Sequence, residues 1–232
     1  MLFEVKTDMK KHLAILSLIL LQTVTVSLFA QRKVQHEFVD LGLSVKWATC
    51  NVGVDNPWDC GAYYSWGETK TKELYNVTTY IHCNGTIHAQ TKYCNIDTYG
   101  DEGFVDNRTT LVAKDDVAHV SWRGKWRMPT ASEFRELVDN CTWTWTTLNG
   151  VNGMELRSNK PGYTDRSIFL PASGSLIGDE VSNLGISAIY WTSSLNTNYP
   201  YLAYRLYLNS NGPAILDDVY RSYGYCVRPV CP

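Results

Sequence analysis

The apolar positions of this chain follow two periods, and the commoner is the two-residue alternation of half-buried β-strands. That alternation predicts strands over residues 167–171, 188–193, 202–209, 214–219 and 225–230. An early strand or hairpin is predicted over residues 39–52, where Val45 and Trp47 alternate with polar residues. Further along, Trp143 and Trp145 alternate with threonines. They precede the dipeptides Asn149-Gly150 and Asn152-Gly153, which are turn signals.

The helical period occurs in the middle of the chain. Residues 114–120 are predicted to form a short helix. A second helix is predicted from Thr130 to about residue 140, because Thr130 and Glu133 form a capping box. Its buried face would carry Phe134, Leu137 and Val138. Two short helices among loop-rich, mostly antiparallel strands predict an α+β fold.

The first thirty residues have the pattern of a secretory signal peptide, with expected cleavage near Ala30. Lys10 and Lys11 precede an apolar stretch that ends at Ala30, and Met9 is the expected start. A membrane anchor is the alternative, but polar residues within positions 22–27 weaken it. We therefore expect residues 31–232 to be one exported domain, secreted or at the cell surface, with no membrane span after cleavage.

Charge and composition narrow the classes of function that this chain can have. The chain has 21 Lys and Arg against 23 Asp and Glu, which leaves no basic field to bind the phosphates of a nucleic acid. Its 8 Trp and 15 Tyr beside 19% charged residues indicate either a thick core or a surface built for binding. Because no nucleophile-elbow, zinc-protease or phosphate-loop motif occurs, we predict neither catalytic activity nor a cofactor.

All seven cysteines follow the predicted signal, in a compartment where disulfides form. Cys83 with Cys94 and Cys141 with Cys231 are candidate pairs. The odd number leaves at least one thiol free or paired between chains. Structural zinc is the competing interpretation, although no C-x-x-C spacing occurs.

Six ordered blocks carry a family resemblance. They are FVDLGLSVKWATCNV (38–52), YSWGE (64–68), KWRMPT (125–130), SIFLPA (167–172), YWTSS (190–194) and VRPV (227–230). Together they resemble the Fibrobacter succinogenes major paralogous domain, common in exported Bacteroidetes proteins, over about residues 36–231. The resemblance implies a C-type-lectin-like fold, in the branch shared with formylglycine-generating enzyme. DVAH (116–119) and RMPTASE (127–133) are similar to the two helix starts of that branch. Since fold and function separate readily, it implies little about activity beyond a surface or secreted binding module.

The carboxy-terminal segment contains an unusually restricted set of residue types. Residues 195–232 contain no Lys, Glu, Gln, Met or Trp, and every residue type present can be encoded by a codon ending in C. Adenine-directed mutagenesis of AAC codons would generate that set of residue types. The segment therefore resembles the variable region of a protein diversified by a retroelement, placed here at about residues 195–226.

Strand alternation suggests which side chains of that segment are displayed. On residues 202–209 the core face would hold Leu202, Tyr204, Leu206 and Leu208, leaving Arg205 and Tyr207 exposed. The predicted ligand-binding residues are Tyr199, Tyr201, Arg205, Tyr207, Asp217, Asp218, Ser222, Tyr223 and Tyr225. Tyrosine offers broad contact area at low rotamer entropy, as in antibody paratopes. We assign Gly224, Arg228 and Pro229 to the scaffold, and expect a protein or glycan partner on a cell, phage or host surface.

The sequence also offers alternatives to a binding function. Cys226 and Cys231 have the spacing of the copper-binding cysteines of formylglycine-generating enzyme, so a copper oxidase is the enzymatic alternative. A structural envelope or adhesin component is the third. The pairs Asp115-Asp116 and Asp217-Asp218 could supply oxygen ligands to calcium, but lectin calcium signatures are absent and no metal site is predicted. His119, three residues after Asp116, is interpreted as a buried hydrogen-bonded histidine.

Overall fold

The computed structural model describes residues 36–232. The predicted signal peptide, residues 1–30 with its start at Met9, lies outside the described residues. Within residues 36–232 the fold is α+β with two α-helices, and all pairings between its strands are antiparallel. None of the helices in this part of the chain has the length and apolarity needed to cross a bilayer.

The helices are α1 (Val117–Trp122) and α2 (Ala131–Asp139). The strands are β1 (Phe38–Val39), β2 (Lys46–Ala48), β3 (Cys141–Leu148), β4 (Val151–Ser158), β5 (Ser167–Pro171), β6 (Ser175–Ile177), β7 (Glu180–Ser182), β8 (Ser187–Leu195), β9 (Leu202–Asn209), β10 (Ile215–Tyr220) and β11 (Val230–Cys231). They form sheets in the orders β1-β2-β11, β3-β4-β5, β6-β7 and β8-β9-β10.

Both helices begin at side-chain caps. The carboxylate of Asp116 accepts a hydrogen bond from the backbone N–H of His119 at 3.0 Å, and one from Met128 at 2.8 Å. The capping box of α2 is present, with Thr130 and Glu133 each bonded to the other's backbone N–H. The first helix begins at Val117 rather than at residue 114, because Ala113–Asp115 form a 3-10 turn and Asp116 is the extended N-cap.

The hairpin of β3 and β4 confirms one turn signal and corrects the other. Asn149 and Gly150 form the turn, both with positive φ. Gly153 instead lies inside β4, where an added Cβ would stand 2.5 Å from the Phe169 ring and from the Leu170 carbonyl oxygen of β5. Glycine is therefore required there by close packing and not by a turn.

The predicted strand over residues 225–230 is wrong for most of its length. Tyr225 and Cys226 each form one isolated bridge, to Tyr64 and Tyr190, and β11 begins only at Val230. Pro229 has no N–H to donate, so a continuous ladder cannot pass through it.

Two core clusters lie on the two faces of the β8-β9-β10 sheet. Leu206 and Leu208 pack with Trp47 and Phe134 in the first cluster. Ala203 lies in the second, which contains Trp66 and Trp191. The sheet is thus covered on both sides, which overturns the expectation that one face of β9 is open to solvent.

The three residues assigned to the scaffold are all buried. Arg228 is fully buried and donates to Asn51 Oδ1 at 2.7 Å, to Phe169 O at 2.9 Å, and to the carbonyls of Ala48 and Thr49. Gly224 packs so closely on Tyr75 that an added Cβ would stand 2.8 Å from its ring. Pro229 is also buried.

The two candidate disulfides are not formed, and every cysteine within residues 36–232 carries a free thiol. Cys83 Sγ lies 3.2 Å from the Val77 carbonyl oxygen, and Cys94 Sγ lies 3.1 Å from that of Ile96. The two thiols thus bond to different carbonyls. Cys141 is buried in the first core cluster, whereas Cys231 lies on β11 opposite Lys46.

Candidate functional site

Six aromatic rings form a contiguous group, which we call the tyrosine patch. Its members are His88, Tyr99, Tyr199, Tyr201, Tyr220 and Tyr223. Tyr201 is central, because its ring centroid lies 5.1 Å from that of Tyr99, 5.9 Å from that of Tyr199 and 5.9 Å from that of Tyr220. His88 extends the patch by stacking on Tyr99 at 5.4 Å, and Tyr223 extends it by an edge contact with Tyr220 at 5.5 Å.

Two remote segments supply these rings. His88 and Tyr99 lie in the loops before α1, and Tyr99 ends a 3-10 turn that begins at Asp97. The four remaining tyrosines lie between the end of β8 and residue 223. Tyr199 is 48% exposed and Tyr220 is 41% exposed, whereas Tyr99, Tyr201 and Tyr223 are half-buried. The patch therefore exposes its outer rings to solvent, while its half-buried rings pack beneath them.

The turn between β8 and β9 is held by Asn196. Its buried side-chain oxygen accepts hydrogen bonds from the backbone N–H groups of Asn198 at 2.8 Å and Tyr199 at 3.1 Å. The Leu202 N–H then donates to the Tyr199 carbonyl at 2.8 Å. These bonds orient the backbone that carries Tyr199 and Tyr201, so the rings are preorganised.

Arg221 connects the two halves of the patch from beneath. Its guanidinium is 1% exposed and donates to the Pro200 carbonyl at 2.7 Å, next to Tyr199 and Tyr201. The same group donates to Gln90 Oε1 at 2.8 Å. The Gln90 N–H in turn donates to the Tyr99 carbonyl at 2.8 Å. One buried side chain thus couples backbone segments more than 100 residues apart.

Among residues 36–232 no carboxylate bonds to Arg221, and its charge is stabilised there by other groups. It donates to the Tyr80 hydroxyl at 2.8 Å and to the carbonyls of Lys92 and Tyr93 at 3.0 Å and 3.3 Å. Its guanidinium carbon also lies 4.9 Å from the centroid of Trp66. Carbonyl oxygens and ring faces carry the partial negative charge that a buried cation requires.

A second group of predicted site residues lies around Arg205, on the side of β9 that faces the second core cluster. Arg205 pairs with Asp217 across β9 and β10, with Nε–Oδ1 at 2.9 Å, and donates to the Tyr225 hydroxyl at 2.8 Å. Its guanidinium carbon lies 5.5 Å from the Tyr207 centroid. Burial raises the pKa of Tyr225 to about 12, while hydrogen bonds from Ser187 and Asn209 lower the pKa of Tyr207. The Arg205 side chain is 17% exposed and that of Asp217 is 40% exposed, so this network is a partly exposed ion pair whose groups are already bonded to one another.

The nine predicted site residues therefore divide into three sets. Tyr199, Tyr201 and Tyr223 come together in the patch, and Asp218 lies near its edge, on the same side of β10 as Tyr220. The Arg205 network comprises Arg205, Tyr207, Asp217 and Tyr225. Ser222 is 6% exposed, with its carbonyl accepting from Ser65 Oγ at 2.9 Å.

The expected exposure of several of these side chains was wrong. Tyr225 is 1% exposed and Ser222 is also buried, while Arg205 and Tyr207 are half-buried. The cause is the second core cluster, which covers the side of β9 that alternation had left to solvent.

Sequence reasoning missed three members of the patch. Tyr220 lies two residues from the predicted Asp218, and the period of a strand would have placed both on one side. His88 and Tyr99 had no comparable signal, because nothing near them in the chain indicates that they meet residues 199–201. Arg221, the positioning residue, was also not singled out.

In this structure Cys226 of the copper alternative and the aspartates of the Asp115-Asp116 pair have structural roles. Cys226 is completely buried, and burial strongly raises the pKa of its thiol, which disfavours the thiolate that binds copper. Asp116 caps α1, and Asp115 pairs with Lys92 and accepts from the Tyr93 hydroxyl at 2.5 Å. Within residues 36–232, no three His, Cys, Asp or Glu side chains are grouped to hold a metal ion. His119 is half-buried, and its ring nitrogen lies 3.2 Å from the Trp126 carbonyl oxygen.

A separate surface cavity of about 430 Å³ lies beside β1, β3 and β5, with Val39, Leu148 and Phe169 in its lining. Its carboxylate, Glu155, already accepts hydrogen bonds from Ser167 Oγ and Arg157, both at 2.8 Å. None of the predicted site residues lines it. The tyrosine patch is therefore the stronger candidate site.

No protein-family model, no curated protein and no solved structure matches this chain. The resemblance to the Fibrobacter succinogenes major paralogous domain stays a prediction that depends on the six sequence blocks.

Proposed function

We propose that this chain is an exported ligand-binding protein whose tyrosine patch contacts a protein or glycan on a cell, phage or host surface. One observation carries the proposal: six rings from two remote segments meet in a single partly exposed group. Tyrosines provide large contact areas with little rotamer entropy to lose, and a rigid base lowers the ordering cost further. Binding of this kind requires neither a catalytic step nor a cofactor.

The scaffold in this proposal is C-type-lectin-like, with the binding surface at the carboxy-terminal end of the domain. The α+β architecture and the position of β8 to β10 are compatible with that fold. Export depends on the predicted signal peptide in residues 1–30. The C-type-lectin-like fold is supported by the sequence resemblance, and export is supported by the signal-peptide pattern of residues 1–30.

Removing two exposed rings tests the function directly. The double variant Tyr199→Ser/Tyr220→Ser should weaken binding about tenfold or more, since exposed aromatic anchors contribute roughly 1 kcal/mol each. The fluorescently labelled protein would be measured against a glycan array and against panels of bacterial cells, phage particles and host cells. The free energy of unfolding should change by less than about 1 kcal/mol, because both rings are largely solvent-facing.

The matched control is Leu184→Ser/Ile186→Ser, which removes two exposed apolar side chains between β7 and β8. It should leave every interaction of the wild-type protein intact. If each captured ligand binds the patch variant and the control equally, the tyrosine patch is not the binding surface and the proposal is wrong.

Retroelement diversification, the finer part of the proposal, makes a positional prediction. Substitutions within residues 195–226 should concentrate at outward positions such as Asn198, Tyr199 and Tyr220. They should avoid Leu206 and Arg221, which are buried and whose loss would disturb the fold. Deep sequencing of the gene across one bacterial population measures this distribution. A uniform segment, or variation spread evenly over buried and exposed positions, would contradict diversification.

A further inference from the structure

We propose that the tyrosine patch binds a cationic ligand, specifically a lysine- or arginine-rich peptide segment of a partner protein. The inference rests on the binding function proposed above and adds the chemical class of the ligand. It follows from the charges on the two segments that carry the rings, residues 84–103 and 195–223.

The cations of these two segments are already engaged. They are Lys92, Arg205 and Arg221. Lys92 pairs with Asp115, Arg205 pairs with Asp217, and Arg221 is buried beneath the patch with all its contacts to neutral groups. None of the three presents a free positive charge to a ligand at the surface.

The acidic side chains are disposed differently. Apart from Asp217, the two segments carry Asp97, Asp101, Glu102 and Asp218, and none of these four forms an ion pair with another described residue. Asp97 begins the turn that ends at Tyr99, and Asp101 lies two residues beyond that ring. The carboxylates therefore flank the Tyr99 side of the patch.

Asp218 supplies negative charge near Tyr220. It pairs with Tyr204 in the β9–β10 ladder and is two residues from Tyr220, so both project from the same side of β10. Burial raises the pKa of Tyr201, and the nearby charges of the other tyrosines and of Asp218 add to that rise. The central ring is thus within the field of this carboxylate.

Ring faces and carboxylates together select for positive charge. The π-face of tyrosine attracts ammonium and guanidinium groups, and the flanking carboxylates add longer-range attraction that salt screens. The protein already uses this chemistry internally, where Arg221 lies over Trp66, Tyr80 and Tyr93. A basic peptide can place side chains on several rings at once, whereas an acidic one would meet only repulsion.

The test is fluorescence anisotropy with the purified full-length protein and three labelled probes. These are a peptide in which lysine and arginine alternate with glycine, the same peptide with glutamate at the charged positions, and a neutral oligosaccharide. Only the basic peptide should bind, and its affinity should fall as salt is raised. Tyr199→Ser/Tyr220→Ser should weaken its binding about tenfold. Asp97→Asn/Asp218→Asn should weaken it severalfold at low salt, while leaving the rings in place.

A charge-matched control separates a specific site from general attraction to an acidic protein. Asp165→Asn/Glu180→Gln removes two exposed carboxylates away from the patch and should leave the affinity unchanged. Equal weakening by both pairs of acid substitutions, or no weakening by Asp97→Asn/Asp218→Asn, would overturn the inference. If the basic peptide fails to bind while another ligand is lost in the ring variant, the cationic specificity is wrong but the patch remains a binding surface. If no ligand depends on the rings, both proposals fail.

Discussion

Replacing Arg221 with methionine should lower the free energy of unfolding by about 3–5 kcal/mol and abolish binding at the tyrosine patch. Methionine fills similar space but donates no hydrogen bond. The Pro200 and Lys92 carbonyls and Gln90 Oε1 would then lose their donor, and backbone carbonyls cannot be replaced by apolar groups. Because Arg221 couples the segment of Tyr99 to that of Tyr201, the two halves of the patch would also lose their relative position.

Urea denaturation followed by tryptophan fluorescence measures the stability, and the ligand assay measures the patch. Arg157→Met is the matched control, because that side chain is 46% exposed and, among the described residues, its one ion pair is with Glu155. It should cost less than about 1 kcal/mol. Arg221→Lys retains the charge but cannot reach all five acceptors, so it should be intermediate. A stability for Arg221→Met within about 1 kcal/mol of the wild type would show that the buried network does not support the fold.

The second large effect is a loss of stability in acid through His82. Its ring is 6% exposed and contacts the rings of Tyr80 and Tyr93, with Nε2 lying 2.9 Å from the Gly67 carbonyl oxygen. Burial lowers the pKa of His82 to about 4. The hydrogen bond to Gly67 opposes that shift, Arg221 and Lys92 add to it, and Asp115 opposes it.

The direction of the pH effect follows from proton binding. Between about pH 6.5 and pH 4 the unfolded chain protonates this histidine and the folded chain does not. The stabilisation is therefore complete above pH 6.5 and is lost as the pH falls toward 4, with a total of roughly 3 kcal/mol. Below pH 4 the folded state also takes up the proton, and this contribution stops changing.

His82→Gln isolates the contribution of His82 protonation to the free energy of unfolding. A glutamine amide can still donate to the Gly67 carbonyl but does not titrate. The difference between the wild-type and His82→Gln profiles of unfolding free energy should slope only between pH 6.5 and pH 4. His88→Gln makes the same exchange at an exposed histidine and controls for the histidine-to-glutamine substitution itself. Parallel profiles for His82→Gln and the wild type would show that His82 titrates alike in both states.

Several local elements could be predicted from the chain because short-range interactions decide them. The capping box of α2 needs only Thr130 and Glu133, three residues apart, and the β3–β4 turn needs only Asn149 and Gly150. Strands β5 and β9 begin and end where alternation placed them. The assignment of Arg228 to the scaffold also agrees with its complete burial, and Arg228 belongs to one of the blocks that carried the family resemblance.

The candidate site was predicted only in part, since alternation says which residues share a side but not what covers that side. It correctly placed Leu206 and Leu208 in a core. It left Arg205 and Tyr207 to solvent, although Trp191 and Tyr225 pack in the cluster on that side. The turn predicted at Gly153 was wrong for a related reason. Close packing against Phe169, which belongs to the next strand, is what requires glycine there.

By itself the sequence determined the α+β class, the start of α2, most of the strands of the carboxy-terminal half, and the concentration of tyrosines in residues 199–225. Each depends on residues within a few positions of one another, or on composition. Only the tertiary structure decided that Tyr99 joins Tyr201, that Arg221 is buried beneath them, and that Tyr225 faces inward. These are contacts across about 100 residues or between sheet faces. Their physical cause is the packing of the whole core, which no local pattern encodes.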